Sequence, residues 1–174
     1  MNIKIPANSN KSFLVNSVIV KFITDVNLGK LAKWLRILGY DTVFYPGNVD
    51  RDFQKRAVNE SRVALTRKKN AVDLFPSGNF LIVESDHLHD QLKEVMDKLS
   101  FSPEPRRMFS ICTTCNVALI EVCKEEIFSM VPDYIFASHN KFRMCPHCKG
   151  VFWPGTHIEK AQRYLKTHTQ RHHP

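Results

Sequence analysis

Residues 18–45 read VIVKFITDVNLGKLAKWLRILGYDTVFY, and the change of period inside this stretch decides the fold. Its first seven residues are mostly apolar and rich in β-branched side chains, which predicts a buried strand over 18–24. From 27 to 38 the apolar residues recur three and four apart. Leu28, Leu31, Ala32, Leu35 and Leu38 form one stripe of an amphipathic helix. Gly39 follows the last of them, where a helix commonly closes on a left-handed residue. A second strand, 41–45, ends at Pro46-Gly47. Strand, helix and strand in so short a span make one βαβ unit, and such units build parallel sheets.

Outward from this unit the alternation continues as far as Ser100. Residues 50–60 read as a helix with Phe53, Ala57 and Val58 inward, and 62–66 and 79–83 as strands. Residues 89–99 read as a further helix carrying Leu92, Val95, Met96 and Leu99. The expected class is α/β over 18–101, a parallel sheet covered by helices on both faces, preceded by a polar extension at 1–17. In such sheets the working groups gather at the carboxyl ends of the strands. Asp25 stands at the end of the first strand and is the first candidate. It is also well placed to cap the helix after it, and Asp50 and Asp52, in a helix's first turn, carry the same double reading.

Ser102-Pro103-Glu104-Pro105 marks the expected boundary. Beyond it, over 106–154, lie Cys112-Thr-Thr-Cys115 and Cys145-Pro-His-Cys148, with 29 residues between the two pairs. Each CxxC turn presents two thiolates on one side, and two turns complete a tetrahedral site for Zn²⁺. Strand-like runs in between, such as 118–122, fit a zinc ribbon. Paired CxxC turns argue against a lone redox motif, and disulfides need an oxidising compartment for which the N-terminus offers no secretory signal. Four thiolates leave no position for water, so the predicted zinc is structural. Cys123 reads as a small buried hydrophobe, and His147 as exposed or hydrogen-bonded beside the metal. Residues 155–174 read as a basic helix, about 157–170, and a tail whose His168, His172 and His173 need do nothing structural.

Composition bounds the rest. The chain is 43% hydrophobic and 24% charged, which is globular, and its longest apolar runs fall far short of a membrane helix. The cytoplasm is the expected compartment. A transit peptide is the alternative, because no acidic residue precedes Asp25, although Arg is missing there. The net charge is +8, and both parts carry it: residues 1–103 hold 15 basic and 11 acidic side chains, residues 104–174 hold 10 and 6. Such a balance makes nucleic acid the leading partner class. Lys30, Lys33 and Arg36 form one basic edge of the first helix, either a solvated face or a row of phosphate contacts. Trp34 reads as packing at the core's edge, with a base-stacking platform the alternative, and Trp153 and His157 as packing and hydrogen-bonding residues.

The combination of FITDVNLGKLAKWLRILGYD (22–41), RVALTR (62–67), the two cysteine pairs and VFWPGTH (151–157) resembles the Mut-seven C-terminal RNase domain family. The likeness spans about 20–165 and implies a PIN-like nuclease fold followed by a zinc ribbon. What it implies further is a ribonuclease centre in which carboxylates hold Mg²⁺ or Mn²⁺ to activate water against a phosphodiester. Asp25 would be the first ligand and Asp50 or Asp52 the next, with Arg67 and Lys68 joining Lys30, Lys33 and Arg36 on RNA. One departure stands out. The family typically continues Leu-Thr-Arg-Asp, whereas this chain reads Leu65-Thr66-Arg67-Lys68, with an ammonium in place of a carboxylate. At 4 Å and an effective dielectric of about 20, two unit charges interact by roughly 4 kcal/mol, so Lys68 turned inward would oppose a cation. Asp73, Glu84 and Asp86 are the candidates to stand in for it. Two functions are therefore expected: a divalent-metal-dependent ribonuclease, or a catalytically degenerate module that binds RNA or a ribonucleoprotein.

Overall fold

The structure, a computed structural model, describes residues 20–75 and 79–155. The extension at 1–17, the first two residues of the expected strand, the basic helix at 157–170 and the tail histidines lie outside the described residues. Two compact units divide the chain. One runs to Phe101 without Ile37–Gly39; the other comprises Ile37–Gly39 and Ser102 onward.

The first unit is built on four parallel strands, β1 (Lys21–Thr24), β2 (Thr42–Phe44), β3 (Arg62–Thr66) and β4 (Phe80–Ile82), in the order β2-β1-β3-β4. The helices are α1 (Gly29–Ile37), α2 (Arg51–Asn59) and α3 (Leu88–Lys98). From β1 the chain steps outward to β2, then crosses back to β3 on the other side of β1. The direction of winding therefore reverses between β1 and β3, where Thr24 lies beside Leu65 in register. A crevice outside the carboxyl ends of the strands belongs at such a reversal.

Alternation along β1 sends its side chains to two faces. Ile23 and its register partner Ala64 join Phe53 and Ala57 of α2, with Val49, Ala71 and Phe75, in one apolar cluster. Phe22 points the other way and meets the rings of Tyr40 and Phe101, the segments that follow α1 and α3. The whole stripe from Leu28 to Leu38 is buried, as its period requires. Its start differs from the expectation of one continuous helix. Val26–Leu28 is a 3-10 turn, and α1 begins only at Gly29. Two further expectations are corrected. Val58 is 56% exposed, because Phe53 and Ala57 already point inward one turn apart and the next residue is rotated away. Arg36 is only 6% exposed and its Nε donates to the Thr42 carbonyl at 2.9 Å, so it is not part of a basic edge.

At the amino end of the sheet a buried guanidinium fastens the central strands. Arg62 makes two parallel bonds to Asp41, Nη1–Oδ1 at 2.8 Å and Nη2–Oδ2 at 3.0 Å. It also donates to Glu60 Oε2 at 2.6 Å and to the Phe22 carbonyl at 3.1 Å. Those hydrogen bonds offset the burial that would disfavour the charge, and Arg62 in turn holds the Glu60 carboxyl below its ordinary range. Removing one partner of such a pair leaves the other uncompensated. Arg62→Ala is expected to lower stability by about 3 kcal/mol in urea unfolding, and Arg62→Lys to restore less than half of it. A loss near zero would mean that the strand ladder alone holds β1 to β3.

A second carboxylate organises the other end. Glu94 of α3 accepts from the backbone N–H of Glu84 at 3.1 Å and of Ser85 at 3.0 Å, and from Lys98 Nζ at 2.7 Å. Burial pushes the Glu94 carboxyl up, but these donors outweigh it and hold it at about 2. A folded-state value below the unfolded one gives stability that is present at neutral pH and fades as pH falls from about 4.5 toward 2. Glu94→Gln should therefore destabilise the protein by about 2–3 kcal/mol at pH 7 and by progressively less toward pH 2. Chemical unfolding of both proteins across that range checks the sign. A gap that widens on acidification would reject the assignment.

The second unit is smaller. Strands β5 (Ile120–Val122), β6 (Phe142–Met144) and β7 (Val151–Phe152) form an antiparallel sheet in that order, with α4 (Asp133–Ser138) between β5 and β6. The expected strand at 118–122 is shorter, with Ala118 making only an isolated bridge to Ile111. Its apolar cluster is Ile127, Val131, Ile135 and Phe142, against which Val122, Phe136, Val151 and Trp153 pack. Four fully packed side chains are a thin core, so this unit needs another source of stability.

Candidate functional site

The cysteine cluster is the candidate for that source. The Sγ atoms of Cys112, Cys115, Cys145 and Cys148 all lie within 4.8 Å of one another, and those of Cys112 and Cys148 are 3.8 Å apart. A tetrahedron with Zn–S bonds of about 2.3 Å has edges of about 3.8 Å, so this donor set fits zinc. The two turns repeat one another. Cys115 N–H points to Cys112 Sγ and Cys148 N–H to Cys145 Sγ, each at 3.4 Å. In each turn the next residue, Asn116 (φ 59°) or Lys149 (φ 61°), takes the left-handed conformation. Its N–H closes onto the carbonyl of the first cysteine.

The protonation pattern shows what a cation would relieve. Burial, and then the neighbouring thiols, push Cys115 up to about 12. Burial also opposes ionisation of Cys145, but the N–H groups of Cys148 and His147 bring it down to about 7. Four sulfurs cannot all ionise in this space without a counter-charge, and a divalent ion supplies it. Cys123 is exposed rather than buried, since the chain turns outward there to start the 3-10 segment Lys124–Ile127. His147 is exposed. Purified protein is expected to carry one zinc per chain by elemental analysis. Cys145→Ser should lose it, together with the near-ultraviolet signal of Trp153, which packs on the adjoining cluster. Native-like folding without metal would overturn the centre.

The carboxyl edge of the parallel sheet holds the second candidate. Asp25 is the buried carboxylate among the described residues, with none of its surface exposed. Its Oδ1 accepts from Asn27 N–H at 2.8 Å, which caps the 3-10 turn. Its Oδ2 accepts from the Thr66 hydroxyl at 2.5 Å and from Arg67 N–H at 3.2 Å. A carboxylate has roughly four acceptor positions, so three donors leave about one for any further ligand. Thr66 is a residue that reading the sequence missed. Its signal was a hydroxyl at the end of a buried strand, beside the strand that ends in Asp25.

Asp50 Oδ1 accepts from Asp52 and Phe53 N–H at 3.0 and 3.1 Å, capping α2. Asp52 is exposed and pairs with Lys55. Asp73, Glu84 and Asp86 are exposed, and Asp86 is ion-paired to Arg67, which holds its carboxyl below its ordinary range. Among the described residues, the groups of three or more ligands close enough to share an ion reduce to the four cysteines. The described carboxylates therefore do not by themselves fit a closed Mg²⁺ or Mn²⁺ site. Lys30 and Lys33 are exposed on α1, and Lys68 is half-buried just past β3, where its N–H donates to Thr66 Oγ1 at 3.0 Å.

A family model described as the Mut7-C RNAse domain matches residues 20–165, most of the chain. The chain belongs to this family. Neither a curated protein nor a solved structure matches it. The match runs through the sheet that carries Asp25 and through all four cysteines, so both candidate sites lie inside the Mut7-C RNAse domain. No helix among the described residues is long and apolar enough to cross a membrane.

Proposed function

We propose that this protein is a ribonuclease-like, RNA-binding protein. Its α/β unit is PIN-like and engages the phosphodiester backbone at the carboxyl edge of the sheet. It hydrolyses the backbone when Mg²⁺ or Mn²⁺ is supplied. The observation that carries the reading is a buried carboxylate, Asp25, at the reversal point of a parallel sheet in a member of an RNase-domain family. Magnesium commonly binds through one or two carboxylates together with substrate phosphates, so a site completed by RNA needs fewer protein ligands than a closed one. Asp25 would be one such ligand, with Asp50 or Asp52 the next. The exposed Lys30 and Lys33 would follow the backbone, which the +8 charge attracts from a distance. The zinc ribbon would stabilise the second unit without entering the chemistry.

A second reading has its own support. Lys68 stands where the family usually has an acid, and the donors around Asp25 tie it into the fold. On that reading the chain binds RNA, or a ribonucleoprotein, without cutting it.

Labelled single-stranded RNA incubated with Mg²⁺ or Mn²⁺ separates the two. Cleavage by the native protein, reduced at least about 100-fold in an Asp25→Asn variant of native-like melting temperature, is the expected outcome. Cleavage that appears only in Lys68→Asp would retire the enzyme reading in favour of binding. Lys30→Glu with Lys33→Glu should weaken RNA binding and flatten its salt dependence; unchanged affinity would remove α1 from the interface.

A further inference from the structure

Just past the end of β3, Lys68 brings a positive charge to the reversal point. Asp25 is enclosed, and three hydrogen bonds hold it. It therefore offers solvent no open negative charge. Arg67, next along, spends its guanidinium on Asp86. Lys68 differs from both. Its backbone is fixed beside Asp25, because its N–H donates to the Thr66 hydroxyl, which itself donates to Asp25 Oδ2. It precedes the 3-10 turn Lys69–Asp73 without making a side-chain cap. It is only partly exposed, yet among the described residues its ammonium has no ion-pair partner.

A lysine that is partly desolvated and lacks a counter-ion gains from an anion brought to it. A flexible four-carbon stem lets the ammonium meet a phosphate as a point charge. Among the described residues, no three carboxylates lie close enough to share one cation. The geometry points to Lys68 as the fixed cation of the crevice: it binds an RNA backbone phosphate directly, so RNA binding at the switch point needs no divalent metal. This rests on the RNA-binding part of the proposed function and holds whether or not the bound strand is then cut.

The test is fluorescence anisotropy of a labelled single-stranded RNA with the full-length, zinc-loaded protein. It compares resin-treated buffer, free of magnesium and manganese, with buffer containing Mg²⁺. Affinities in the two should agree within about twofold. Lys68→Ala should weaken binding about tenfold in both buffers and lower the slope of log K against log salt by about 0.7, one phosphate contact. Lys93→Ala, an exposed charge on α3, is expected to leave affinity within about twofold and controls for loss of net charge. The inference is overturned if binding appears only with Mg²⁺, or if Lys68→Ala behaves like Lys93→Ala. Absence of RNA binding in both buffers would strike down the proposed function as well; metal-dependent binding would strike down this inference alone.

Discussion

A carboxylate taken out of water must be met by donors, and the first unit is arranged around meeting those demands at Asp25. The donors come from three places: the turn that Asp25 itself caps, the last residue of β3, and the residue after it. Satisfying the charge therefore joins the ends of the two central strands at the point where the winding reverses. The amino end of the same strands is closed by the Arg62 fork on Asp41. Between these polar clamps the sheet is apolar, with Ile23 and Ala64 on one face and Phe22 on the other. A group that fastens the scaffold is thus also the group a nuclease would call on, and its three donors restrict how much coordination it can still give.

The second unit solves the opposite problem. Its apolar cluster is small, and an ion on the four cysteines would supply the stability that such a core lacks. The same turn occurs twice, with N–H groups aimed at sulfur and a left-handed residue following each pair. That repetition places four sulfurs at a spacing suited to one tetrahedral ion. An ion held by four thiolates would have no position open for water, so such a site would organise structure.

Charge is distributed with similar economy. Much of the basic excess that suggests nucleic acid is exposed, as at Lys30 and Lys33, but part of it is spent inside. Arg36 and Arg62 are buried on backbone carbonyls, and Arg67 is paired. Net charge draws an anion toward the protein; only the unpaired cations decide where it settles. Lys68 is one that lies half-buried just past the end of β3.

The sequence by itself determined the period of each element and the chemistry of the cysteines. Apolar residues repeating every second or every third and fourth position choose strand or helix through local geometry alone. Two CxxC turns point to a metal site through ligand type and spacing. The stripe from Leu28 to Leu38 and the paired cysteines were therefore legible at once. Tertiary structure alone decided which long-range partner each polar group would take. Asp25 meets Thr66, forty-one residues away, and Arg62 meets Asp41, twenty-one away. Arg36 looked like surface because its helical position permits exposure, yet a carbonyl on β2 draws it inward. Val58 and Cys123 looked buried because they are apolar, yet hydrophobicity says only that a residue can be buried, not that the chain will turn it toward a core. Hydrogen bonds between distant segments depend on how the strands are ordered in the sheet, and no local period encodes that order.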